Sequence, residues 1–387
     1  MRSRAAVLWG TNQAWKLEEI EVDPPKVGEV LVQWKVAGMC HSDEHFVTGD
    51  MVPPDDVLPL MGVDRFFPFI GGHEGAGVVV EVGEGVTSLA PGDHVSASFI
   101  PSCGRCRPCS TGKQNLCDNG AKTLVGGMIT DGTDRHHVVN ADGSLAPVTL
   151  MAKLGTFSEY ACVAEMSLIK VEPDLPLDAV ALVSCGVATG FGSATNRAAV
   201  MAGDTVVVVG VGGIGINAVQ GAKLAGAARV IAIDPVEFKR EKAMELGATH
   251  TFASMEEAML PVMEMTWGTM ADKVILTPGV MYGELLGQGQ ALCSKGGTIV
   301  VTAVAPMAQT EVSLNLFDLA MMNKEVKGTI FGSLNPRADI PKLLGLYREG
   351  QLKLDELITR RYTLEQINDG YRAMRDGENI RGVIVYD

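Results

Sequence analysis

"DTVVVVGVGGIGINAVQGAKLAGAARVIAID", residues 204–234, is the stretch from which the fold follows. "TVVVV" is β-branched throughout, the composition of a strand buried on both faces. Gly210, Gly212 and Gly215 then stand in G-x-G-x-x-G spacing, "GGIGINAVQGAKLAG" reads as a helix, and "ARVIAID" reads as a second strand. Asp234 closes that strand nineteen residues beyond Gly215. Each part has a physical use. Gly210 permits the tight turn, Gly212 lets backbone approach a pyrophosphate, and Gly215 allows the helix to pack close to the strand. The helix N-terminus offers free N–H groups and partial positive charge to the phosphates. Asp234 accepts hydrogen bonds from an adenosine ribose and repels a 2′-phosphate, so the expected cofactor is NAD rather than NADP. The plainer reading, an α/β turn with glycines for packing, does not account for the acid. Lys239 is placed to hold the same ribose; alone it reads as a solvated helix lysine.

Working outward, "THTF", "DKVILT" and "GTIVVTAV" read as further strands, with helices around 255–265 and 282–293. Strands alternating with helices indicate a doubly wound parallel sheet of the Rossmann type. Before residue 200 the pattern differs. "RAAVLW", "WKLEEIEV", "EVLVQWKVAG" and "GAGVVVEVGEGV" are short strand-like runs separated by turn signals. Two connections, 50–71 and 118–155, are rich in Gly, Pro and Asp, and loops of such length are functional or mobile as a rule. The expected architecture is α/β plus β: one domain over 1–186 and 329–387, interrupted by a dinucleotide-binding domain over 187–328.

The formal net charge of −14 argues against nucleic acid or an anionic membrane surface as partner, since both require a basic face. No run of eighteen apolar residues and no signal peptide is read, so the expected location is cytoplasmic. There thiols stay reduced, and clustered cysteines bind metal rather than pair.

Four of the eight cysteines lie in "CGRCRPCSTGKQNLC": Cys103, Cys106, Cys109 and Cys117. Four thiolates complete a tetrahedral zinc and leave no open position, so this is expected to be a structural ion pinning a loop. Ferredoxin clusters use other spacings. A nucleic-acid zinc ribbon uses two separated pairs in basic surroundings.

"GMCHSDEH" at 38–45, "GGHEGAG" at 71–77 and "VSCGVATG" at 183–190 offer Cys40, His73 and Cys185. A Cys2His set would leave zinc one open position, as catalysis requires. Beside a nicotinamide such an ion activates an alcohol for hydride loss. Taken singly, each has a plainer reading: a buried cysteine is a small hydrophobe, and a lone histidine is a satisfied one.

These segments, together with "GDHV", "SCGVATGFGSA", "AIDPVEFKRE" and "NIRGVIVYD", resemble in order the zinc-dependent medium-chain alcohol dehydrogenases over nearly the whole chain. The resemblance implies a GroES-like catalytic domain interrupted by a Rossmann domain, NAD, and two zinc ions per subunit. It implies Cys40, His73 and Cys185 as ligands of the catalytic zinc, Glu74 as a carboxylate able to exchange onto it, and Asp43 as the acid orienting the imidazole. Ser42 is implied to take the alcohol proton and His45 to pass it through the cofactor ribose to solvent. Arg381 is implied at the pyrophosphate, Thr189 and Gly213 at the cofactor, and Phe99 in the substrate pocket. His41 stands where many relatives carry a pyrophosphate-binding arginine, and the 50–71 loop, with its "RFFPF", is longer than in the animal enzymes. The wording resembles most an actinobacterial nicotinoprotein subgroup. Its members retain NAD and recycle it with an external acceptor, artificially N,N-dimethyl-4-nitrosoaniline (NDMA), with mycofactocin implied physiologically. Homo-oligomers are also implied, a dimer before a tetramer, with "TEVSLNLFDLAMMNKEVKG" supplying an edge strand across a twofold axis.

Two alternatives stand beside alcohol oxidation. One is a formaldehyde dehydrogenase acting on a glutathione or mycothiol adduct, which the acidic "PPDD" and "GVD" of the 50–71 loop disfavour. The other is a non-catalytic dinucleotide-binding redox sensor, which would not need Ser42, His45 or the separate Cys2His set.

Overall fold

A computed structural model describes every residue except Asp64 and Val125, so one acid counted in the 50–71 loop lies outside the described residues. Contacts divide the chain into two compact units: Met1–Cys185 with Asn335–Tyr347 and Leu354–Asp387, and Gly186–Leu334 with Arg348–Lys353. The second crossing thus falls at 334/335, and 348–353 belongs with the second unit. There Gln220 ties it down, donating to the Lys353 carbonyl and accepting the Lys353 N–H.

In the second unit six parallel strands follow the order His250–Phe252, Arg229–Ile233, Thr205–Val209, Ala271–Leu276, Cys293–Val301, Glu325–Gly328. In chain order this is 3-2-1-4-5-6, the Rossmann arrangement, with the switch point at the first strand. Every residue of Thr205–Val209 is buried, as expected of a strand covered on both faces.

The first unit carries two sheets. One has seven strands, with Glu29–Gly38 between Glu74–Val82 and Arg381–Val385 for part of its length and against Tyr160–Ala164 elsewhere. The other has six, built on Arg2–Leu8 and Lys16–Val22. The two long connections turn out to feed this sheet. Residues 118–155 contribute His136–Val139, Leu145–Pro147 and Thr149–Leu150, while Phe69–Ile70 ends the other connection. The "RFFPF" stretch packs inward: the Phe66 and Phe69 rings lie 5.5 and 4.8 Å from that of Phe46, centroid to centroid, and all three are buried. Aromatic burial of this kind anchors the loop to the core. The helical stretch Leu177–Arg197 is long and apolar enough to cross a bilayer, but 89% of its most apolar window is buried inside the protein. It is a core element that the strand-based reading missed.

Candidate active site and metal centres

The strand Glu29–Gly38 leads directly into the helix His41–Thr48, and Cys40 stands at the junction in extended conformation. Gly38 pairs with Glu74 on the neighbouring strand, so the register brings His73 beside Cys40. Gly38 must lack a side chain: a Cβ there would lie 2.1 Å from Glu74 Oε2. Cys185 arrives from a π-helical turn, Val183–Val187. Such widened turns redirect side chains and recur at functional sites.

One ligand atom from each of Cys40, His73, Glu74 and Cys185 lies within 4.8 Å of all the others, and the four residues are buried. His73 Nε2 stands 3.3 Å from Cys185 Sγ. Tetrahedral zinc bond lengths place an imidazole nitrogen and a thiolate about 3.5 Å apart. Behind the ring, His73 Nδ1 is 3.1 Å from Asp43 Oδ2, while Asp43 Oδ1 accepts the Gly72 N–H at 2.7 Å. A carboxylate on Nδ1 leaves Nε2 to face a metal. Burial works against charge on His73, yet the negative groups Asp43 and Cys40 outweigh it and hold its pKa well above the ordinary value. Cys40 is held well below its usual range, first by a hydrogen bond with Cys185, against burial, and then by the charges of His73 and Arg381. A site that already favours one thiolate suits a cation, whose binding displaces the remaining thiol proton.

Glu74 shows opposing effects. Burial pushes its carboxyl up to about 7 even though the Arg381 guanidinium pulls it down. Arg381 donates to Glu74 Oε2, and Glu74 Oε1 has no partner among the described residues. The residue assigned by resemblance to a pyrophosphate is therefore engaged with the carboxylate beside the cysteines. The Phe99 ring stands edge-on to His73 at 5.6 Å between centroids, at the same centre.

Ser42 is half-buried, with its Oγ 3.6 Å from Cys40 Sγ. His45 differs from the expected outer end of a relay: it is only 2% exposed. Its Nδ1 lies 3.1 Å from Asp50 Oδ2, and the ring of the half-buried His41 stands edge-on to it at 5.3 Å between centroids.

The four clustered cysteines, Cys103, Cys106, Cys109 and Cys117, fold around the short helix Arg107–Ser110 and the turn Gln114–Leu116. Cys103 and Cys109 sulfurs are 4.0 Å apart, and those of Cys106 and Cys117 are 3.9 Å apart. The edge of a zinc tetrathiolate is about 3.8 Å. Among the described residues no His, Asp or Glu joins these four cysteines. The Gln114 N–H donates to Asn335 Oδ1, and Arg337 Nε donates to the Ser102 carbonyl, which fixes the lobe to its own unit.

In the second unit Gly210 adopts φ +83°, and a Cβ at Gly215 would sit 1.8 Å from the Gly210 carbonyl oxygen. Gly212 has open space where its Cβ would point. Gly213 lies in the same turn, its carbonyl accepting from Asn217 Nδ2. Asp234 is clamped by the N–H groups of Val211 and Val236, both at 2.9 Å. Thr189 Oγ1 is buried without a partner among the described residues. Lys239 is half-buried on the helix Glu237–Glu245. Arg240, one position on, donates to the carbonyls of Asp234 and Pro235. The sequence reading missed Arg240, because nothing in its local spacing points back to the acid.

A Rossmann unit joined to a β-rich unit that carries one closed four-cysteine cluster and one mixed Cys/His/Glu cluster defines a metal-dependent dehydrogenase with a dinucleotide cofactor. The chain belongs to the zinc-binding alcohol dehydrogenases and is an oxidoreductase. Family models describe residues 26–173 as an alcohol dehydrogenase GroES-like domain and residues 213–349 as a zinc-binding dehydrogenase. Among curated relatives it is 51% identical to an NDMA-dependent alcohol dehydrogenase of Amycolatopsis methanolica, covering 100% of this chain and 99% of the relative. It is 48% identical to alcohol dehydrogenase B of Mycobacterium tuberculosis, with the same coverage. A solved structure, an alcohol dehydrogenase zinc-binding domain protein from Burkholderia ambifaria, superposes with TM-score 0.89 at 30% identity, covering 100% and 99% of the two chains.

Proposed function

We propose that this alcohol dehydrogenase oxidises a small alcohol at the Cys40, His73, Cys185 centre, with hydride passing to NAD held in the glycine loop. The carrying observation is the convergence of the Cys40, His73, Glu74 and Cys185 ligand atoms within 4.8 Å. Bound zinc would supply Lewis-acid polarisation of the substrate oxygen, and bound NAD the hydride acceptor. The chain's own residues do the rest. Cys40, His73 and Cys185 hold the metal and Asp43 fixes the imidazole. Arg381 holds Glu74 through one carboxylate oxygen, and a Cys40, His73, Cys185 ligand set would leave the ion one open position. Ser42 takes the alcohol proton and His45 receives it. Phe99 walls the pocket. Cys103, Cys106, Cys109 and Cys117 hold the second, structural zinc. Asp234, Thr189, Gly210, Gly212, Gly213 and Gly215 hold NAD, with Lys239, His41 and Arg381 contributing charge.

The likeness to an NDMA-dependent relative supports a finer reading, in which NAD stays bound and is re-oxidised in place by an external acceptor. The protein is further proposed to work as a homodimer.

Cys40→Ser, assayed for zinc content and turnover together, tests the centre. The expected variant retains one zinc per subunit and loses turnover by about 10³-fold or more. Normal turnover in a protein lacking the second zinc would remove this reading. Native mass spectrometry of the unmodified protein reports retained NAD directly.

A further inference from the structure

Beyond the relay residues lies a carboxylate that the family resemblance does not assign. The helix His41–Thr48 ends at Gly49, whose φ of +91° turns the chain back on itself. The left-handed conformation at such a cap favours glycine. The N–H groups of Gly49 and Met51 both donate to the His45 carbonyl, and this turn sets Asp50 against the His45 ring. Asp50 Oδ2 then sits 3.1 Å from His45 Nδ1 and accepts the Thr48 hydroxyl at 2.7 Å. His45 is nearly fully buried, whereas the Asp50 side chain is 27% exposed.

An ionised carboxylate only accepts hydrogen bonds. The Thr48 hydroxyl, and after it His45, hold the Asp50 carboxyl below the usual range against its burial, so it is ionised at neutral pH. His45 Nδ1 must therefore carry the ring proton, leaving Nε2 as the only basic nitrogen. Protonation of Nε2 creates an imidazolium with almost no water around it. A buried charge of that kind is costly unless paired. Asp50 is the pairing charge. His41 also faces the ring, edge-on. Glu44, on the same helix, is held by Arg375.

We propose that Asp50 is the positioning residue of the proton relay: it fixes the His45 tautomer and stabilises the protonated ring. This deepens the relay reading and rests on it. In the step concerned, the Ser42 side loses one proton as His45 Nε2 gains it; the Nδ1–H bond to Asp50 stays intact, and the Nε2 proton later leaves to water.

The test uses the full-length, zinc- and NAD-loaded enzyme and follows nicotinamide reduction by ethanol across pH, for wild type, Asp50→Asn, Asp50→Glu and His45→Gln. Asn offers an amide that can donate to Nδ1 and so select the wrong tautomer. A misplaced tautomer in a related dyad costs large factors. Asp50→Asn is expected to reduce the limiting rate about tenfold at pH 7, with half-saturation changed less than twofold. Its acid limb should move to lower pH, because a negative charge beside the ring has gone. Asp50→Glu should restore the limb. An Asp50→Asn profile whose limb does not move, whatever its amplitude, overturns the assignment, as does failure of Glu to restore it. If His45→Gln matches wild type in rate and profile, the relay itself falls. If His45→Gln is impaired and Asp50→Asn is not, only the role of Asp50 falls.

Discussion

His136 has no place in the chemistry, yet it shows how burial, helped by neighbouring positive charge, sets a titration. It is fully buried, and its Nε2 accepts the Cys162 N–H at 3.0 Å. Burial, then the nearby positive groups His137, Lys153 and Arg135, push its pKa down to about 3. The folded value lies below the unfolded one of about 6.5, so between those pH values the unfolded chain binds more protons. Stability therefore rises with pH through that window and is lost as pH falls. The expected loss attributable to His136 between pH 7 and pH 5 is about 2 kcal/mol. Denaturant midpoints measured at both pH values for wild type and His136→Gln check this: the variant should be less stable at pH 7 but should lose less on acidification. An identical pH slope in the two proteins would exclude His136 as the source.

At the scale of elements, the connection over 118–155 is held by a buried charge cluster. Arg135 Nε and Nη2 donate to the two Glu29 oxygens at 2.8 and 2.9 Å, and Nη2 also reaches Asp131 at 2.7 Å. Arg135 and Glu29 side chains are both 0% exposed. Glu29 opens the strand that ends beside Cys40, so this cluster fastens the connection to the strand that bears the site. Removing one partner strands a charge in a dry interior, which costs more than the intact pair contributes. Arg135→Leu should destabilise the protein by about 3–5 kcal/mol. Adding Glu29→Gln to it should recover part of that loss, since no uncompensated carboxylate remains. A double-mutant cycle by chemical denaturation measures both effects, and strict additivity would count against a coupled pair. The aromatic stretch of the 50–71 connection fastens its loop without charge, with Phe66 stacked on Phe46 and Phe69 tilted against it.

For the whole molecule, what could be read from sequence was whatever local spacing encodes. The glycine loop, the acid after it and the four-cysteine lobe each lie within a short stretch whose period or spacing states its geometry. Cys40, His73 and Cys185 come from distant segments, and only register and a π-turn unite them. Asp50, Arg135 and Arg240 stayed invisible because their roles depend on where a turn returns the chain. The same limit applies to assembly, where sequence names a segment but not its exposure. Among the described residues the strand Glu325–Gly328 is paired on one side only, with Cys293–Val301. Near it in sequence Leu316 is 70% exposed, Phe317 72% and Met321 62%. An open strand edge flanked by bare apolar side chains invites strand addition, and the proposed homodimer would satisfy both needs around a twofold axis. Phe317→Asp together with Met321→Lys would place charge in that contact without touching either cysteine cluster. Light scattering after size exclusion should then show the mass of wild type falling by half, with zinc content unchanged. A wild-type protein that is already monomeric, or a double variant that remains dimeric, would assign the edge to some other role.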